Sequence, residues 1–175
     1  MKKLCGGILL LLALPLVAQH EQHIKSPAAA PQAMAQHHAF LEAEHQAIER
    51  GEGFGMALAA DKNGYPGPKH VLDMKKELKL TPAQEAAMQK LMTEMKTKAL
   101  ARGKDVLLAE KRLEELFAQG KSEDELREET YRVASLRAEL RWVHLATHLA
   151  AKKILTVQQI ATYQEMRHAQ GMKAQ

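Results

Sequence analysis

The chain is short of the residues that cross-link, stack or catalyse. Among 175 residues there is one cysteine, Cys5, which excludes an intramolecular disulfide and leaves no set of thiolates to hold a metal. Aromatic residues amount to 4%, and with so few of them the composition is not that of a sheet sandwich. No nucleophile elbow, phosphate-binding glycine loop or HExxH occurs, so the usual signatures of catalysis are missing. Gly51, Gly53 and Gly55 make a GxGxG, but without the strand and βαβ unit that a dinucleotide site requires. The chain is expected not to be an enzyme.

The only long apolar run, Leu4 to Val17, is interrupted by Pro15 and is shorter than the about 20 residues that cross a bilayer. With Lys2 and Lys3 before it, and Ala18 ahead of the polar Gln19-His20-Glu21, it reads as a secretory signal peptide over residues 1–18, cleaved after Ala18. The expected location is the periplasm. Cys5 would leave with the leader, and loss of Lys2 and Lys3 would lower the formal charge from +4 to +2. So mild an excess of cations does not imply nucleic acid and fits acidic or unfolded polypeptide partners.

What the chain has in plenty is Ala, Leu, Lys, Glu and Gln, the composition of long helices. Residues 19–38, rich in Ala, Pro and Gln, show no apolar period and read as a disordered arm; His20, His23, His37 and His38, with His45 beyond, offer loose metal contacts. Residues 39–68 read as a short helix from Ala39 to Arg50, with Phe40, Leu41, Ala47 and Ile48 on one side, and then a loop. Its turns are set by Asn63-Gly64 and Tyr65-Pro66-Gly67-Pro68, and Met56, Leu58 and Tyr65 tack it down. Residues 69–170 read as one helical domain, opened by a helix from Lys69 to Lys79.

Within that domain one pattern occurs twice, Leu80-Thr81-Pro82-Ala83-Gln84 and Leu155-Thr156-Val157-Gln158-Gln159. A Thr at a helix N-cap accepts from a free N–H of the first turn, and a Gln three residues later reaches back to the N–H of the cap. Pro82 suits the first helical position, and Ser122 with Glu125 forms a third capping box. A helix from Pro82 to about Ala118 therefore turns at Gly120 into a second, running to about Lys153, and the short turn makes the two antiparallel. Met88, Leu91, Met95, Ala99, Val106, Ala109, Leu113 and Leu116 form the stripe of the first, with Gly103 a weak point. Leu126, Val133, Leu136, Leu140, Val143 and Leu149 form that of the second, and Ile160, Tyr163 and Met166 face inward from a final helix. The fold class is all-α: an elongated antiparallel helical hairpin with short flanking helices, four core helices in all. So small an interior favours a homodimer.

The doubled LTxxQ, the hairpin between its copies and the leader ahead of them resemble the CpxP/Spy family of periplasmic proteins, and the related heavy-metal resistance group with its zinc-resistance-associated proteins and nickel and cobalt sensors. The resemblance spans roughly Gly67 to Gln170. It implies the fold above and a role in envelope or metal stress: metal binding, the holding of unfolded clients, or regulation of a membrane sensor.

Residues for each role can be named. His144 and His148 are four apart, so they share one helix face with Cβ atoms about 5–6 Å apart; His70 and Met74 have the same separation, and Met92 lies near the start of the long helix. Imidazole with thioether suits copper or silver, while imidazole with carboxylate suits zinc, nickel or cobalt. The sensors of the resembling group use an acidic residue near the place of Met92, and only His70 and His144 match their pattern in residue type. Copper, silver or zinc is therefore expected before nickel or cobalt. Methionines at this spacing also pack cores. For clients, Lys96, Lys98, Leu100, Arg102 and Lys104 on the long helix, with Arg132, Arg137 and Arg141 on the returning one, would form a basic surface interrupted by apolar contacts. The alternative for these cations is a solvated face of ion pairs.

Overall fold

The structure is a computed structural model, and it describes residues 29–173. The leader, the first ten residues of the expected arm, and His20 and His23 lie outside the described residues. The chain divides after Ala39 into two compact units, and apart from the start of the first helix the fold below is that of the unit beginning at Phe40.

Among the described residues there are six helices and no strands: α1 Ala29–Glu49, α2 Leu58–Lys62, α3 Pro68–Asp73, α4 Pro82–Ala118, α5 Glu123–Ile154 and α6 Val157–Lys173. The expected hairpin is present, with α4 and α5 packed along each other. Thr81 and Ser122 each make a complete capping box, Thr81 with Gln84 and Ser122 with Glu125. At the start of α6 the Oγ1 of Thr156 likewise accepts from the Gln159 N–H at 3.2 Å. Three local signals thus fix three helix starts. At 37 residues, α4 runs for about 55 Å.

Two bodies of core lie along the hairpin. At its open end Val71, Met74, Leu78, Met88, Ala151, Leu155 and Tyr163 pack together, and Ile160 and Met166 of α6 lie against them. Nearer the middle Ile48, Ala99, Val106 and Leu140 form the second body, with Met56, Leu136 and Val143 beside it. Each full-sized side chain so buried contributes roughly 1.5–3 kcal/mol. The Val71, Met88, Val106 and Leu140 side chains are among those fully enclosed.

The structure corrects the sequence reading in five places. The first helix starts at Ala29, not Ala39, because Ala29, Ala30, Ala33 and Ala35 favour helix and Pro31 falls in the first turn, where no donor is lost. Phe40 and Leu41 are exposed and not inward; Phe40 stacks on Phe54, centroids 5.2 Å apart. The loop after Gly51 contains a helix of its own, α2. The helix after Pro68 stops at Asp73, and turns carry the chain to Lys79, whose φ of +50° cannot belong to a right-handed helix. Leu149 is 39% exposed, off the buried stripe of α5.

Gly103, expected to weaken α4, instead permits contact. A Cβ there would lie 2.9 Å from both the carbonyl oxygen and Cγ2 of Ile48, so the end of α1 rests directly on the α4 backbone.

Candidate functional site

Two loops each hold one histidine of α5. His144 follows Leu140 by one turn and is 3% exposed. The loop after α1 lies over it so closely that a Cβ on Gly53 would be 3.1 Å from the His144 Nδ1. The loop stays in place partly through Arg141, whose Nε donates to the Met56 carbonyl at 3.1 Å. One turn on, the Nδ1–H of His148 donates to the Tyr65 carbonyl oxygen at 2.7 Å. Since a carbonyl only accepts, the proton of a neutral His148 sits on Nδ1 and its Nε2 carries the lone pair. The Tyr65–Pro68 turn packs tightly there: a Cβ on Gly67 would be 2.8 Å from that Nε2. The Lys152 Nζ lies 3.7 Å above the Tyr65 ring centroid, a cation–π contact that steadies the turn.

The Nε2 of His144 is the one buried side-chain polar atom without a hydrogen-bond partner among the described residues. An unmet buried nitrogen costs about 1–3 kcal/mol, a cost the rest of the core does not carry. Burial, and then the charge that His148 would carry, hold the His144 pKa below its ordinary value, so the ring is neutral and offers a lone pair near pH 7.

The other three expected metal ligands have different surroundings. His70, on α3, faces Asp61 and Tyr163: its Nδ1 is 3.4 Å from the Tyr163 hydroxyl and 3.7 Å from the Asp61 Oδ1. Met74 is buried in the apolar body at the open end, where its sulfur is surrounded by hydrocarbon. Met92 is partly buried on α4. Among the described residues no three His, Cys, Asp or Glu side chains come together as a metal-holding group.

Sequence reasoning missed the partners of His70. The Asp61 carboxylate accepts from the Tyr163 hydroxyl and from Arg167, each at 2.6 Å, which joins α2 to α6. Burial alone would raise the Asp61 pKa, but these two donors and the Arg167 charge outweigh it, and the net shift is downward. Burial and the facing Asp61 push the Tyr163 pKa up. Tyr163 was legible as an inward residue; the partner of its hydroxyl was not, because Asp61 sits on α2, 102 residues away.

The client-binding candidates divide. Arg137 donates to Glu110 at 2.8 Å and Glu44 at 3.1 Å, Arg102 pairs with Glu139 at 3.3 Å, Arg132 pairs with Glu129 at 3.4 Å, and Arg141 is spent on Met56. For Arg102, Arg132 and Arg137 the ion-paired face describes the surface better than an open basic one, whereas Arg141 meets only a backbone carbonyl. Lys96, Lys98, Leu100 and Lys104 are exposed on α4. Lys104 borders a groove of 910 Å³ shared with His45 and Ile48 of α1. Lys98 borders another, of 830 Å³, against Trp142 of α5. No protein-family model, curated protein or solved structure matches the chain.

Proposed function

We propose that this is an exported, periplasmic metal-binding protein of envelope or metal stress, in which His144 and His148 hold copper(I) or silver(I). The observation that carries the reading is the buried His144 Nε2 with no partner, one helical turn from a second imidazole whose other nitrogen is tied to a backbone carbonyl. A carbonyl on the far nitrogen is the usual way in which a protein aims a ligating histidine, and with the His144 proton on Nδ1 a bound cation would satisfy its partnerless Nε2. Zinc in a structural site takes four ligands, more than the two imidazoles supply, whereas copper(I) and silver(I) accept two or three. Met92 is the candidate thioether that lies outside the apolar core.

The test is titration of the full chain with silver(I), and with copper(I) against a competing chelator, followed by the His144→Ala, His148→Ala double variant. One ion per chain is expected, and the site is expected to be lost in the variant, since both imidazole ligands are gone. Unchanged affinity overturns the assignment.

A second reading, an ATP-independent chaperone, is favoured by Leu100, 41% exposed, standing among Lys96, Lys98 and Lys104. It expects suppression of a model client's aggregation that weakens as salt rises, and no suppression at several-fold molar excess ends it.

A further inference from the structure

One helix face is left unpartnered by both readings. On α5, Tyr131, Ser135, Ala138, Trp142, Leu145 and Leu149 follow one another at alternating intervals of four and three, the spacing of a coiled-coil seam. The buried stripe of α5 runs separately through Val133, Leu140, His144, Thr147 and Ala151. Along the second seam Tyr131 is 69% exposed, Trp142 58% and Leu149 39%. Leu145 is partly buried, while the other large apolar side chains of the seam face water on the outside of the helix. The seam spans five turns, about 27 Å. In its middle the small Ser135 and Ala138, with Ala101 of α4, floor the 830 Å³ groove that Trp142 walls. A floor of small residues beside one large aromatic is a shape that receives a ridge of side chains from another helix.

The charges along the border choose the occupant. Glu139 is already paired with Arg102. Lys98, on the border of the groove, has no carboxylate within ion-pair distance among the described residues, and Arg141, next to Trp142 in sequence, donates to a carbonyl, which leaves its charge uncompensated. A second copy laid on the seam would bring these cations against their own kind. A helix with acidic flanks would meet them with opposite charge.

We propose that the Tyr131–Leu149 face of α5 is the docking site for an acidic amphipathic helix of a partner protein, with Trp142 as its anchor. Trp142 is the sole tryptophan of the chain, and buried tryptophans dominate the energy of such contacts. The site is independent of any metal at His144 and His148.

Intrinsic fluorescence of the full chain reports on Trp142 alone. The probe is a synthetic peptide of about three heptads with Leu at the seam positions and Glu at the flanks. Binding is expected to shift Trp142 emission to the blue and to raise the helicity of the peptide, and raised salt weakens it. By anisotropy of a labelled peptide, Trp142→Ala and, separately, Lys98→Glu each weaken binding about tenfold, or 1.4 kcal/mol. Both residues are exposed, and an unchanged melting curve for either variant shows that the loss lies in docking. Equal binding of a Lys-flanked peptide removes the charge argument. Equal binding of a scrambled acidic peptide that cannot form the helix assigns the face to unfolded chains instead. Concentration-dependent blue shift of the protein alone assigns it to a second copy. Any of these three results overturns the proposal.

Discussion

Gln84 and Gln159, 75 residues apart, clasp each other's side-chain amides: the Nε2 of Gln84 donates to the Oε1 of Gln159 at 2.9 Å, and the return bond is 3.0 Å. The remaining N–H of Gln84 goes to the Ile154 carbonyl and that of Gln159 to the Leu78 carbonyl. Each Oε1 also accepts from the backbone N–H of its own motif's threonine. Every donor of both amides is used, and each glutamine reaches a carbonyl just ahead of the other copy of the motif. The repeated pattern therefore caps two helices and also joins the two caps.

Removing either amide leaves several partly buried groups without partners. Gln84→Ala and Gln159→Ala are each expected to cost about 2–3 kcal/mol. The double variant should cost less than the two together, by at least about 1 kcal/mol, because the second change removes a bond already lost. Urea unfolding of the four proteins measures this, and strict additivity would show that the clasp carries no energy.

Alanine in place of glycine ordinarily stabilises a helix by about 1 kcal/mol. At Gly103 the opposite sign is expected, because the new Cβ would lie 2.9 Å from the Ile48 carbonyl oxygen and the backbone of α1 must shift. A loss of about 1–3 kcal/mol follows from such overpacking. A raised melting temperature would mean that α1 is free to lift away.

Asp61 has a folded-state pKa below its ordinary 3.8. Its contribution is then complete above that value and is lost as the pH falls through the lower, folded-state pKa. Stability should fall on acidification below about pH 4. Asp61→Asn should be less stable at neutral pH and lose less on acidification. Thermal melts across that range decide it; parallel curves for the two proteins would rule out Asp61 as a source of the acid lability.

Replacing His144 with Phe removes the orphaned nitrogen while keeping a planar ring of similar size. Melting temperature is expected to hold or rise, since about 1–3 kcal/mol of unmet hydrogen bonding disappears, while silver(I) uptake is lost. A strongly destabilised variant would instead mark His144 as a packing residue.

The sequence made the hairpin legible because its signals are local. A cap, a proline at the first position and a period of three to four sit within a few residues of one another, and α4 and α5 follow from them. The long-range pairings had no such signal: nothing within the Gln84 motif names Gln159, and nothing near Tyr163 names Asp61. Gly103 misled for the same reason, since its value lies in Ile48, which only the folded chain brings near. Among the metal candidates, i and i+4 spacing placed His144 and His148 one turn apart on α5, and it did not say that a loop would cover each of them. The same spacing for His70 and Met74 did not reveal that one faces Asp61 while the other sits in hydrocarbon, because position on a helix does not say what lies opposite.

The missing side chain at Gly103 acts as an axial slot. Were α1 to slide one turn along α4, Ile48 would meet the side chain of Ala99 or Leu107 in place of a bare backbone, so only one height fits. The chain that leaves α1 at Gly51 therefore always departs from the same point, and that point sets Gly53 over the His144 ring. A vacancy on one helix thus determines how an imidazole on another is roofed.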